Sequence, residues 1–347
     1  MTDASAGGSQ GGAFAGPTTG GAALWRRFRR DRAALAALVG LTLIVLACFV
    51  LEPLLEHVLG HGPDEPFQHA VNIYNRQPVG WFSVVRENGP HAGKTFFVLG
   101  GDGPIGRDEF LRLLAGGRVS LEIAAIATAV ALVIGVVLGT VAGYFGGIVD
   151  AVVSRATELF MSFPLLLLVI ALGQTVAQRF EQITLDGIFQ PGVLALAVVI
   201  GLFCWFYPAR VARTLVVSLR EQEFIEAAHM VGARDLRVLR KELLPHLTGP
   251  LIVWGTLVAA GVIVLEASLS ILNFGVRLGT ASWGSLLAQS WGTLLSFNPN
   301  QGVAGVAYGT STLLKAAPSV ALFLTVLCLA LVGDGLRSAL DPRGERR

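Results

Sequence analysis

Among the residues that could support chemistry, the closest together are His57, His61, Asp64, Glu65 and His69. Imidazole and carboxylate ligate metals, but these are strung along a Pro- and Gly-rich stretch without the spacing of a structural zinc or calcium site. Solvated loop side chains are the expectation, and no metal centre is predicted. A second candidate, Gly89-Pro90-His91-Ala92-Gly93-Lys94-Thr95, falls one residue short of the phosphate-binding pattern G-x-x-x-x-G-K-[ST]. The residues after it alternate like a strand, whereas a phosphate loop must open a helix whose amides face the anion, so nucleotide binding is not expected here. Cys48, Cys204 and Cys328 all lie in apolar runs and read as small buried side chains. Neither a complete Walker motif nor H-E-x-x-H occurs, so the chain is not read as an enzyme, and no catalytic residue is assigned. One isolated acid remains. Glu266, in Leu265-Glu266-Ala267-Ser268-Leu269-Ser270, sits inside an apolar span, where an ionisable group either lines a path or holds a neighbouring helix by hydrogen bonds.

The densest polar chemistry is in Glu221–Pro250, between two apolar runs. Phe224, Ile225, Ala228 and Val231 recur at helical spacing and predict a short amphipathic helix. Gly232 comes next, where a helix end calls for positive φ, the conformation glycine adopts without steric cost. Asp235 is then placed as the N-cap of a second helix with Leu236, Leu239 and Leu243 on its apolar side, and Pro245 where that helix should stop. Ala227 and Ala228 leave room for another surface to approach the backbone. An amphipathic linker lying on lipid headgroups would show the same pattern.

Composition supplies the frame for these segments. The chain has 347 residues, 53% hydrophobic and 14% charged, with a mean hydropathy of +0.64. A soluble domain carries about 25% charged residues, so this is a polytopic membrane protein in contact with lipid, expected to be all-α because its apolar runs are long enough for spanning helices. The net charge of +2 gives no case for nucleic acid. Residues 1–24, rich in Gly, Ala, Ser and Thr, are expected to be disordered. Residues 25–51 hold a basic flank, Trp25 to Arg32, and a first span, Ala33–Leu51. A signal peptide or lipoprotein box ending at Cys48 shares that pattern, but further apolar spans come after it, which favours an uncleaved helix. Residues 52–118 form a polar insertion in which a β-hairpin is expected around Asn88-Gly89. Its last arginines, leading into the second span, are expected to face water or headgroups. Residues 119–335 hold five more spans: Val119–Gly143; a third to about Val176, kinked at Pro164; Gly192–Val211; Leu251–Leu272; and Ala316–Gly333. The loop 214–249 separates the fourth from the fifth, and 336–347 is a tail. Six spans put both termini on one side, together with the basic clusters Arg26–Arg32, Arg210–Lys241 and Arg337–Arg347. The excess of positive charge makes that side cytoplasmic and the insertion extracytoplasmic.

Several separate motifs carry a resemblance. Glu226-Ala227-Ala228, Gly232 and Leu244-Pro245 resemble the coupling loop of ABC-importer permeases, although Glu242 stands where that family usually has Ile. Gly101-Asp102, Gly106-Arg107-Asp108, Arg112-Leu113-Leu114, Gly117-Arg118 and Ser120-Leu121 resemble the block G-T-D-x-x-G-R-D … S-R-L-L-x-G-x-R-x-S-L of the dipeptide/oligopeptide/nickel permeases. Gly101 replaces the Thr there, and one residue is added before Gly106. Met161-Ser162-Phe163-Pro164 and the ending Gly333-Asp334-Gly335-Leu336-Arg337 … Asp341-Pro342-Arg343 are similar to the same family. Over about residues 99–343 the chain is thus similar to its second, C-type, permease.

The resemblance implies the type I importer architecture with six transmembrane helices in a prokaryotic inner membrane. It also implies a second permease subunit, two cytosolic ATPase subunits and an extracytoplasmic solute-binding protein. Glu226, Ala227, Ala228, Gly232, Leu244 and Pro245 would meet the ATPases. The chain would bind no cofactor, ATP and Mg being held by the partners. A secondary transporter driven by an ion gradient is the competing reading, but it would want ionisable groups near midplane and an internal repeat, neither of which is evident.

Overall fold

The computed structural model describes residues 21–70, 79–80, 82–87, 93–102, 105–171, 190–277, 279–295 and 316–340. The Asn88-Gly89 turn, most of the Gly-rich tail before residue 24, the end of the third span, the Gly-containing stretch 296–315 and the last seven residues lie outside that set.

The architecture is built on α4 (Glu109–Phe145), 37 residues long and so about 55 Å at 1.5 Å per residue. Its many Gly and Ala residues are what let other helices lie against it. Gly135, Gly139 and Gly143 form one stripe along α4, and on it lies α8 (Phe206–Leu219). A Cβ at Gly139 would collide with the Ala209 carbonyl, and one at Gly143 would come within 2.8 Å of the Arg213 carbonyl oxygen. In lipid no hydrophobic force presses helices together, so such close backbone approach supplies the attraction. The main core is completed by Ile123, Ala127 and Ala131 of α4, Ala197 and Ile200 of α7 (Val193–Cys204), and Ile263 and Leu269 of α11 (Leu244–Ile271).

Among the described residues, four helices are each long and apolar enough to cross a membrane: Arg32–Leu59, Glu109–Phe145, Asp235–Ile271 and Ala317–Leu340. Six crossings result if each of two bent pairs counts as one span. The first pair is α5 (Gly147–Ser162) with α6 (Leu165–Ala171), bent by 91° at Pro164. The sequence predicts a kink there, and the structure has a break. Phe163 is extended, the conformation that the residue before proline prefers, so the helix stops and restarts. The second pair is α7 with α8, bent by 43°, and it carries the fourth apolar segment on to Leu219, past the expected Val211.

The first helix also outruns its expected end. α2 (Arg32–Leu46) continues through a π-turn, Ala47–Leu51, into α3 (Glu52–Leu59), closed by Gly60 at φ 73°. Glu52 marks the polar boundary in the sequence, yet it is only 5% exposed and lies 4.0 Å from Arg118. Pro53 falls in the first turn after the π-turn, where a missing N–H costs little. α2 packs on α13 (Ala317–Leu340).

In the insertion, β1 (Ser83–Glu87) pairs antiparallel with β2 (Gly93–Phe97) in register Ser83 with Phe97. Lys94 and Thr95 therefore lie in a strand, not at a helix N-terminus. Val85 and Phe97 pack on Phe67, while Val84 on the opposite face is exposed. Short strands β3 (Gly101–Asp102) and β4 (Arg107–Asp108) lead into α4.

His61 and Asp108 join the insertion to the helices. Asp108 caps α4: its Oδ1 accepts the amides of Phe110 and Leu111 at 2.9 and 3.1 Å. Its Oδ2 lies 3.2 Å from His61 Nε2, while His61 Nδ1 faces the Leu59 carbonyl at 3.3 Å. Burial of the ring opposes its charge, but the Asp108 hydrogen bond and charge, the Leu59 carbonyl and nearby Glu65 outweigh it and raise the His61 pKa above 6.5. A raised folded pKa stabilises the fold fully below the unfolded value, and the contribution is lost as pH rises through the folded pKa. Protection of the β1 and β2 amides, relative to their base-catalysed intrinsic exchange, is thus expected to fall from mildly acidic to alkaline pH, and His61→Gln should flatten that fall. Equal pH dependence in both proteins would refute the pairing.

Two sequence expectations about this region change. Not all the arginines before the second span face water or headgroups: Arg112 is fully buried, with Asp64 Oδ1 3.6 Å from its Nε. Nor are His61 and Asp64 simply solvated, since they are engaged with Asp108, and with Arg107 and Arg112.

Candidate functional site

The loop between α8 and α11 is a packed unit. α9 (Glu223–Met230) buries Ile225 and half-buries Phe224 and Ala228 against Val216, Val238, Leu243 and Leu247. It ends as the sequence predicts. Gly232 has φ 84°, its amide donates to the His229 carbonyl at 2.9 Å, and the Ala233 amide reaches back to the Ala228 carbonyl at 3.0 Å. These two bonds are the Schellman closure of a helix C-terminus.

Beyond Gly232 the expected second helix differs. Asp235 is the first helical residue, not the cap: Arg234 takes the capping position without a side-chain bond, and Asp235 Oδ1 instead accepts the Tyr144 hydroxyl at 2.8 Å. Tyr144 also lies 3.2 Å from His229 Nε2, so the end of α4 braces both sides of the turn. The helix does not stop at Pro245. It passes from α10 (Asp235–Arg237) through a π-turn, Val238–Leu243, into α11. The π-turn shifts the hydrogen-bond register just before Pro245, which then sits in a first turn where no amide is required. The buried side is accordingly Val238, Leu243 and Leu247, and Leu236 points outward.

What this leaves outside is apolar. Met230 is 89% exposed, Val231 90% and Leu236 75%. Glu226, Ala227, Gly232, Leu244 and Pro245 are exposed and Ala228 is half-buried. Periodicity in the sequence assigns Val231 and Leu236 to inner faces, so this exposed tip is visible only in the structure. At the loop's base Arg213 grips Asp150 of α5 through both Nε and Nη2, and Arg220 Nη1 donates to the Gly143 carbonyl at 3.0 Å.

Glu266 is fully buried in α11 and is enclosed by hydroxyls. It accepts from Ser270 one turn on (2.9 Å), from Ser120 of α4 (3.2 Å) and from Ser282, which precedes α12 (Trp283–Leu295), at 2.8 Å. Ser120 Oγ also accepts the Trp283 amide at 3.1 Å. Gly284 allows the approach, since a Cβ there would lie 2.7 Å from Ala267 Cα. An apolar cavity nearby is lined by Leu165, Tyr207, Trp254, Val258 and Leu265, and Glu266 is not among its walls. Through these three hydroxyls Glu266 ties α11 to α4 and to the segment ahead of α12.

Residues 135–346 match the family described as binding-protein-dependent transport system inner membrane component, and residues 21–78 match the N-terminal transmembrane domain of oligopeptide transport permease C. The chain is 33% identical to the oligopeptide transport system permease protein OppC of Escherichia coli K12, across 93% of this chain and 92% of that one. The chain belongs to the binding-protein-dependent ABC permeases. Within that family this permease is of the C type. It is 36% identical to a probable peptide ABC transporter permease of Sinorhizobium fredii over 80% of this chain and 84% of that one. To a putative peptide permease of Brucella ovis it is 32% identical over 71% and 73%. Permeases of this family are the membrane components of ATP-driven importers, so this permease is a multi-pass inner-membrane transport subunit, and the ion-gradient alternative falls away.

Proposed function

We propose that this permease carries peptides or similar small solutes inward, together with a second permease, two cytosolic ATPases and an extracytoplasmic solute-binding protein. Support for peptides comes from the relatives, named as oligopeptide or peptide permeases. Both termini and the loop 214–249 lie on the cytoplasmic side, and ATP and Mg are bound by the ATPases. The observation that carries the coupling assignment is the tip Met230, Val231 and Leu236. Three large apolar side chains are held out by a loop whose other face is packed and braced. A lone headgroup-lying helix would instead bury its apolar side in lipid, and here that side is already taken by the permease itself. In operation, ATP closing the ATPase dimer would draw the loops together and turn the spans outward. ATP must bind the closed state more tightly for that shift to occur.

The test uses single cysteines in a cysteine-free background. Val84→Cys is expected to react with an impermeant maleimide on intact cells. Val231→Cys should react only in inside-out vesicles, and should be protected there when the ATPases are bound. Labelling of Val231→Cys from outside would reverse the orientation, and absence of protection would remove the tip from the ATPase contact.

A further inference from the structure

We infer that the corner where α1 (Gly21–Phe28) turns into α2 is a binding site for anionic phospholipid headgroups. Arg26, Arg27, Arg29, Arg30 and Arg32 crowd the few positions before an uninterrupted apolar helix. The fold turns this string into a fixed surface. α1 lays Leu24 and Phe28, one helical turn apart, against α2 and α13, where Phe28 is buried among Ala34, Ala37, Val332 and Ala339. Gly335 of α13 makes the fit possible, because a Cβ there would strike Ala34 and come within 3.1 Å of the Phe28 ring. Trp25 stacks on Phe28 with centroids 5.9 Å apart and stays half open to the surroundings, as tryptophan does at a membrane interface.

α1 closes in a tight turn, with the Arg30 amide donating to the Arg27 carbonyl and the Asp31 amide to the Phe28 carbonyl, each at 3.1 Å. The turn presents Arg29 and Arg30 as exposed residues, and Arg32, also exposed, opens α2. Among the described residues no acid pairs with these three. Asp31, the acid beside them, is committed as the cap of α2, its Oδ1 taking the Ala33 and Ala34 amides at 2.9 and 3.1 Å. Asp334 and Arg337 on α13 are both exposed next to Gly335 and add no net charge.

Depth decides the occupant. The apolar helix starts at Ala33, so the three guanidiniums lie within about one turn, roughly 5 Å, of the hydrocarbon edge. Phosphodiesters already occupy that level, whereas an acidic protein would have to descend to it. Juxtamembrane clusters of this size attract anionic lipid, and guanidinium forks match phosphate oxygens in pairs. The inference does not depend on the ATPase or peptide readings.

The experiment is native mass spectrometry of the full-length chain in mild detergent, titrated with phosphatidylglycerol and phosphatidylcholine of matched acyl chains. The unmodified chain is expected to prefer phosphatidylglycerol, with the preference falling as salt rises. R29Q/R30Q/R32Q should lose roughly tenfold or more of that preference, while R29K/R30K/R32K, which keeps the charge but not the paired fork, should lose less. Equal affinity of the unmodified chain for the two lipids at low salt would overturn the site. That comparison comes first, so a variant that inserts wrongly does not blunt the test. Displacement of phosphatidylglycerol by poly-glutamate at matched charge would also overturn it, as would full retention of the preference in R29Q/R30Q/R32Q.

Discussion

Glu266→Leu is expected to deplete the permease from the membrane, while Glu266→Gln leaves it abundant and largely active. The carboxylate is the common acceptor for hydroxyls on three segments: Ser120 on α4, Ser270 on α11 and Ser282 ahead of α12. Leucine fills the volume but leaves three buried donors to find new acceptors. Each unsatisfied buried group costs about 1–3 kcal/mol. Ser270 can turn back to a carbonyl of its own helix, as Ser268 already does toward Val264, so its share is recoverable. Ser120 and Ser282 also hold the start of α12, through the Trp283 and Ser285 amides, and cannot reorient without disturbing it. A loss of several kcal/mol is large against a typical stability of about 5–15 kcal/mol. Glutamine keeps an acceptor for Ser270 and Ser282 and turns its amide toward Ser120 Oγ, which has a lone pair to offer. Membrane abundance, thermal stability in detergent and uptake should be measured together. Normal abundance and uptake with leucine would show that the network holds nothing. Normal abundance but abolished uptake with glutamine would instead put Glu266 on the transport path.

The parts of this structure legible in the sequence are those decided within a few residues. Gly232 could be placed because positive φ at a helix end has one common solution, and the Gly- and Ala-rich α4 could be read as a packing helix because small side chains are its means of contact. The features hidden from the sequence are decided at a distance or by a shift in helical register. Asp108 caps α4 as any Asp before a helix can, but its second oxygen meets His61, and nothing local in either residue announces the other. Glu52 looks like the end of the first span because a carboxylate ordinarily leaves the membrane, yet the helix runs on past it and packs it 4.0 Å from Arg118 of α4. Pro245 looks like a stop signal, and the π-turn before it removes the reason to stop. Val231 fits the apolar face of α9 by periodicity, but α9 ends at Met230 and the turn rotates Val231 outward. The motifs that carry the family resemblance survive these corrections because they are matched residue by residue, and none needs the helix boundaries to be right.

Gly232→Val is expected to leave the permease folded in the membrane and to uncouple it from ATP hydrolysis. At φ 84° glycine has no strain, while a β-branched side chain costs at least about 1–2 kcal/mol. Steric crowding adds nothing: a Cβ at this position meets no atom within 4 Å, so the penalty is carried by the backbone alone. Relief comes most cheaply by opening the turn, which gives up the Ala233 to Ala228 and Gly232 to His229 hydrogen bonds. The spans have no stake in those bonds, since the buried side of the loop is anchored separately by Ile225, Val238 and Leu243, and Tyr144 holds Asp235 from α4. The change therefore falls on the tip. Met230 and Val231 precede the turn and Leu236 comes after it, so their mutual placement depends on the geometry at Gly232. Contacts between proteins concentrate their energy in a few central residues, and a small displacement of these removes most of the affinity. Gly232→Ala, with one methyl and no branch, should show the same defect at lower amplitude. The readouts are membrane abundance, co-purification of the ATPases and uptake in the same cells. Abundance should be near normal, with co-purification or uptake reduced in the order Gly, Ala, Val. Undiminished co-purification and uptake with valine would make this loop an inert linker, and the coupling assignment would fail with it.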